Sequence, residues 1–97
     1  MAAITRARIV VSGRVQGIGF RYAARQWAVE LNLTGWVRNL PDGRVEAVVE
    51  GEKPALDDLI RRLREGPSFA QVDDLDIEWE LALGDFTDFR IIRFRQP

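Results

Sequence analysis

Residues 13–21, GRVQGIGFR, put three glycines and two arginines between an apolar run, Ile9-Val10-Val11, and a run with helical spacing that begins at Phe20. The chemistry available to such a stretch is anion binding. Gly17 and Gly19 tolerate positive φ, so successive backbone N–H groups can turn inward and form a concave nest. A helix starting at Phe20 adds unpaired N–H groups and the positive end of its dipole. Arg21, in its first turn, carries a planar fork that grips two phosphate oxygens at once. A cation there is unfavourable by itself and makes sense beside a bound anion. The same spacing equally allows a tight strand-to-helix connection, with the glycines permitting the turn and Arg21 solvated. GIGFRY (17–22) lacks the last glycine of GxGxxG, and no GxxxxGK[ST] occurs.

Composition narrows the chemistry further. The chain has 97 residues, 46% apolar and 30% charged, which suits one folded domain over 1–97. It contains neither histidine nor cysteine, so it lacks the usual general base near pH 7 and the commonest transition-metal ligands. Disulfides and thiolate nucleophiles are excluded as well. A net charge of −1 gives no field to attract nucleic acid. No apolar run approaches the roughly 20 residues of a membrane span, and no export signal is visible. A cytoplasmic location is the expectation, and nothing in the composition asks for more than a monomer.

Periodicity supplies the elements that must position the loop. Arg6–Ser12 alternates, with Ala7, Ile9 and Val11 on one face, and reads as a strand. Phe20, Ala23, Ala24, Trp27, Ala28 and Leu31 form an apolar helical stripe, with Asn32 and Gly35 as stopping places. A strand over Trp36–Leu40 meets the turn PDG (41–43), and Arg44–Glu50 alternates again with Val45, Ala47 and Val49 on one side. The two make a hairpin. Pro54 opens a second helix whose stripe is Leu56, Leu59, Ile60 and Leu63, and Gly66-Pro67 ends it. Val72–Trp79 and Phe89–Phe94 read as two more strands.

The expected fold is α+β: a ferredoxin-like β-α-β-β-α-β sandwich with an additional short C-terminal strand, its antiparallel sheet carrying two helices on one face. In that arrangement the first two strands run parallel with the third between them, so both end on one edge of the sheet. Asn39 then lies about two strand spacings, roughly 10 Å, from the glycine loop. A tetrahedral anion fits such a gap.

VSGRVQGIGFR (11–21), followed by GWVRNLPDGRVE (35–46), closely resembles the acylphosphatase family, and the similarity extends through EGP (65–67), VDDLDIEW (72–79) and FRI (89–91). The resemblance implies hydrolysis of acyl phosphates to a carboxylate and inorganic phosphate, with no metal or cofactor. It also implies residue roles. Arg21 binds the phosphate, the backbone of Val15, Gln16, Gly17, Ile18, Gly19 and Phe20 cradles it, and Asn39 orients the attacking water. The missing histidine fits such a reaction, because a carboxylate leaving group departs without a proton.

Other signals read as structure. Asp74 and Asp76 have the spacing of aspartate-nucleophile phosphatases but alternate with Leu75 and Ile77, as on a solvated strand face. Arg61, Arg62 and Arg64 suit the exposed side of the second helix. Arg14, Arg25 and Arg38 could steer an anion but individually read as surface charges. Trp27 and Trp79 are expected in the core; Trp36 either packs under the sheet or flanks the site, with packing slightly preferred. Two readings without catalysis share the topology: a small-ligand regulatory module, and an RNA-binding domain. The latter needs aromatics on its central strands, and RVEAVVEG (44–51) has none.

Overall fold

Alternation in the first strand becomes one wall of the core. In the computed structural model, which describes residues 3–17 and 19–93, β1 spans Ile4–Arg14, and its Ala7, Ile9 and Val11 are at most 1% exposed. Phe20–Glu30 form α1, Thr34–Asn39 β2, Val45–Glu52 β3, Lys53–Glu65 α2, Gln71–Glu80 β4 and Phe89–Ile91 β5. The sheet order is β4-β1-β3-β2-β5. β1 pairs antiparallel with β3 and β4, and β3 with β2, so that Ile9 faces Ala47 and Ile77, and Val37 faces Ala47. α1 packs over β2 and β5, and α2 over β1, β3 and β4. Phe20, Ala24 and Ala28 of α1 and Leu56, Leu59, Ile60 and Leu63 of α2 close the core from above.

Helix ends follow local chemistry. Asn32 takes φ 59 just beyond α1, a conformation asparagine tolerates better than most residues. Gly35, the other candidate stop, already belongs to β2, where a Cβ would sit 1.9 Å from the Val48 carbonyl oxygen. Its absent side chain lets two strands approach.

The structure departs from the expectations in four places. β5 joins β2 in parallel register, Gly35 beside Phe89, so the sheet is mixed at that edge. β5 ends at Ile91, and Phe94 lies outside the described residues. Trp79 is 43% exposed rather than in the core. It sits near the end of the edge strand β4, where cover thins from Leu75 outward, and the Lys53 ammonium lies 4.5 Å from its ring centroid. Trp27, by contrast, is half-buried against the core.

The fourth departure is β3, which is buried on both faces. Its second row includes Glu46 and Glu50, each 2% exposed. Glu46 accepts from Arg8 Nε at 2.7 Å and Arg38 Nε at 2.8 Å; Glu50 accepts from Arg6 Nε at 2.8 Å and from the N–H groups of Leu83 and Gly84 at 2.8 and 3.0 Å. Buried carboxylates persist only when paired this completely. Burial works against ionisation of Glu50, yet the two N–H donors and the Arg6 guanidinium outweigh it and hold the carboxyl below its ordinary value. Arg62 also does more than coat α2: it donates to Glu30 of α1 at 3.1 Å.

Candidate active site

The glycine loop is pinned at both ends and unhindered in the middle. Val15 is 1% exposed and Phe20 2%, so their side chains anchor the loop in the core. Between them Gly17 has φ 76 and Gly19 φ 83, and a Cβ added at either would meet nothing within 4 Å. These glycines therefore serve backbone conformation and not close packing. Gly19 is the N-cap of α1, with no side chain capping the helix and no acidic residue in its first turn. The first helical bond runs from Ala23 N to Gly19 O at 3.0 Å, so the N–H groups of the first turn have no helical acceptor. Electrostatically this is a site for negative charge. Arg21 stands there half-buried, with no carboxylate in ion-pair reach among the described residues.

Asn39 approaches from the other side. It ends β2 opposite Val45, whose side chain faces the helices. The Asn39 side chain is therefore on the α1 side of the sheet, the side the loop crosses. Its Oδ1 is buried and has no hydrogen-bond partner among the described residues. The expected gap between the two elements is bridged directly: Gln16 Nε2 donates to Leu40 O at 2.8 Å and Arg44 O at 2.9 Å. Both carbonyls belong to the β2–β3 turn, next to Asn39.

Of the residues picked from sequence, Val15, Gln16, Gly17, Gly19, Phe20, Arg21 and Asn39 thus gather at the edge where β1 and β2 end. Ile18 lies outside the described residues. Trp36 and Arg38 alternate with Asn39 and occupy the opposite face, the Arg38 guanidinium 5.1 Å from the Trp36 ring centroid. Trp36 packs there and does not flank the loop. Arg38 is tied to Glu46, which removes it as a free steering charge. Arg25 is exposed and donates to Phe89 O at 3.2 Å, a neutral acceptor that leaves its charge intact. Asp74 and Asp76 are exposed on β4 as anticipated. What sequence reasoning missed is the Gln16 side chain, expected to contribute only its backbone. A groove of about 700 Å³ lies elsewhere, between α1 and β5, lined by Arg25, Val29, Asn32 and Phe89, with Tyr22 at its end nearest the loop.

The family model "Acylphosphatase" matches residues 7–91. The chain belongs to the acylphosphatase family. An acylphosphatase of Anaeromyxobacter dehalogenans is 54% identical over 94% of this chain and 98% of its own length. Among solved structures, the acylphosphatase of Bacillus subtilis superposes with a TM-score of 0.88 at 39% identity, covering 91% of this chain and 98% of that one. The Coxiella burnetii acylphosphatase gives 0.86 at 43% identity, covering 93% and 94%. Membership makes this chain an enzyme of acyl phosphate hydrolysis, with the ferredoxin-like fold that its periodicities implied, and takes precedence over the regulatory-module and RNA-binding readings.

Proposed function

We propose that hydrolysis takes place at the glycine loop, with the backbone N–H groups of residues 15–20 and the Arg21 guanidinium holding the phosphoryl oxygens and Asn39 holding the water. The observation that carries this reading is the buried, unpartnered Oδ1 of Asn39. An unpaired buried carbonyl costs about 1–3 kcal/mol, a cost that a functional hydrogen bond offsets. Oδ1 accepts a hydrogen bond from the water and so turns a lone pair of the water oxygen toward phosphorus. A new P–O bond forms as the bond to the acyl oxygen breaks, and the carboxylate leaves without protonation. Both water protons end on the phosphate, the substrate's own oxygens acting as the base. The dianionic acyl phosphate and water thus give a carboxylate and dihydrogen phosphate, with atoms and charge balanced. The protein's contribution is placement and charge stabilisation.

The donor set supports a metal-independent reaction, since amide N–H groups and a guanidinium attract anions and repel cations. No histidine or cysteine is available as a ligand. Among the described residues no helix is long and apolar enough to cross a membrane. In this reading the protein is a cytoplasmic monomer of one domain over 1–97 that acts on a small molecule, and the net charge of −1 gives no field to attract a nucleic-acid partner. The test is turnover of acetyl and benzoyl phosphate under chelator, with p-nitrophenyl phosphate as control and ¹⁸O-labelled water as solvent. Chelator-resistant turnover of the acyl phosphates with label in inorganic phosphate is expected. Label in the carboxylate would mean attack at carbon and would overturn the mechanism.

A further inference from the structure

We infer that the Gln16 side chain is a positioning group for this reaction: it locks the phosphate cradle to the hairpin that carries Asn39. The inference rests on the roles proposed above for the loop and Asn39. A primary amide has two protons on one nitrogen, and here one points to Leu40 O at 2.8 Å and the other to Arg44 O at 2.9 Å. Those same carbonyls close the turn, accepting from Gly43 N at 3.2 Å and Leu40 N at 2.8 Å. Gln16 therefore plugs a turn that is already folded and does not shape it.

The connection matters because Val15 and Phe20 pin only the ends of the loop in the core, and its middle needs a tie of its own to the hairpin. At Gly17 and Gly19 the space a Cβ would occupy is open to 4 Å, so no side-chain packing holds the loop there. Among the described residues no other side chain of 15–21 donates to the hairpin. Without Gln16 the path from cradle to Asn39 runs through the core contacts of Val15 and Phe20 at the loop's ends and the pairing of β1, β3 and β2. With it, the path is one side chain, from the residue before Gly17 to the residue after Asn39. A displacement of about 1 Å between phosphorus and the water costs on the order of 100-fold in rate, so a latch at this point acts on kcat. Glutamine is the side chain that meets the need. Asparagine is a methylene too short, and glutamate would aim a carboxylate at two carbonyl oxygens.

The experiment is a double-mutant cycle in the full chain, using Gln16→Leu and Gln16→Met, each alone and with Asn39→Ala. It reads kcat and KM for benzoyl phosphate, the inhibition constant of inorganic phosphate, and Tm. Either Gln16 variant alone is expected to lower kcat about tenfold, with phosphate inhibition shifted less than about threefold. In the Asn39→Ala background the same substitution is expected to change kcat by less than about twofold. Equal losses in both backgrounds, or an unchanged kcat in the single variants, would overturn the inference and leave the proposed mechanism standing. An unchanged kcat in Asn39→Ala alone would overturn the mechanism, and the latch with it.

Discussion

Replacing Asn39 with alanine is expected to cost activity while sparing stability. The Asn39 Oδ1 atom is buried and unpartnered among the described residues, so its removal relieves a penalty of about 1–3 kcal/mol. Against that stands the packing lost from a half-buried side chain, about 1 kcal/mol. The net change runs from zero to about 2 kcal/mol in favour of the variant. For a domain of this size roughly 4–8 °C of Tm accompanies each kcal/mol, so Tm should hold or rise by up to about 16 °C. Activity moves the other way. Losing the group that aims the water should lower kcat on the order of 100-fold, about 2.7 kcal/mol of transition-state stabilisation. The inhibition constant of phosphate, which the proposed mechanism assigns to the loop and Arg21, should shift less than about threefold. Benzoyl phosphate hydrolysis followed by absorbance, together with thermal melts, reads all three quantities. A Tm lowered by more than about 5 °C with kcat within about threefold of wild type would refute the reasoning and make Asn39 a structural residue.

Three further outcomes are expected. Arg21→Lys keeps the charge but loses the fork, and should weaken inhibition by phosphate about tenfold or more and lower kcat/KM at least as far; wild-type values would contradict the bidentate role. Gly19→Ala has room for its methyl group but must hold φ 83, which should cost about 1–2 kcal/mol and lower Tm by roughly 5–15 °C; an unchanged Tm would show that the loop relaxes freely. Glu50→Gln should lower Tm at pH 7, since the carboxylate accepts from Arg6, Leu83 and Gly84. The Glu50 carboxyl in the fold sits below its ordinary value of 4.5. Its contribution is therefore complete above that pH and lost as pH falls through the folded value. The difference in Tm between wild type and Glu50→Gln should shrink accordingly in acid, and a constant difference down to pH 3 would speak against it.

The features legible in the sequence were those decided within a few neighbouring residues. The row Ala7, Ile9, Val11 and the stripe Leu56, Leu59, Ile60, Leu63 carry their own periods, and all of these side chains are buried where the periods put them. Arg21 and Asn39 each sit in a local motif, and chain order alone brings the ends of β1 and β2 to one edge. Features set by pairing between distant strands were not legible. Alternation placed Val45, Ala47 and Val49 correctly, but whether Glu46 and Glu50 meet water or arginine depends on the register of β3 against β1 and β2. Trp79 looked like core because its row matched Leu75 and Ile77, and only the sheet order reveals that β4 is an edge. The role of Gln16 required both the loop and the turn to be in place, since its acceptors lie 24 and 28 residues away.

The most direct test is a crystal structure of the chain with vanadate, whose five-coordinate form mimics phosphorus in mid-transfer. The equatorial oxygens should lie about 3 Å from backbone nitrogens of residues 15–20 and from the Arg21 guanidinium, with an apical oxygen at hydrogen-bond distance from Asn39 Oδ1. Vanadate bound in the groove between α1 and β5, or held at the loop with Asn39 turned away, would contradict the assignment.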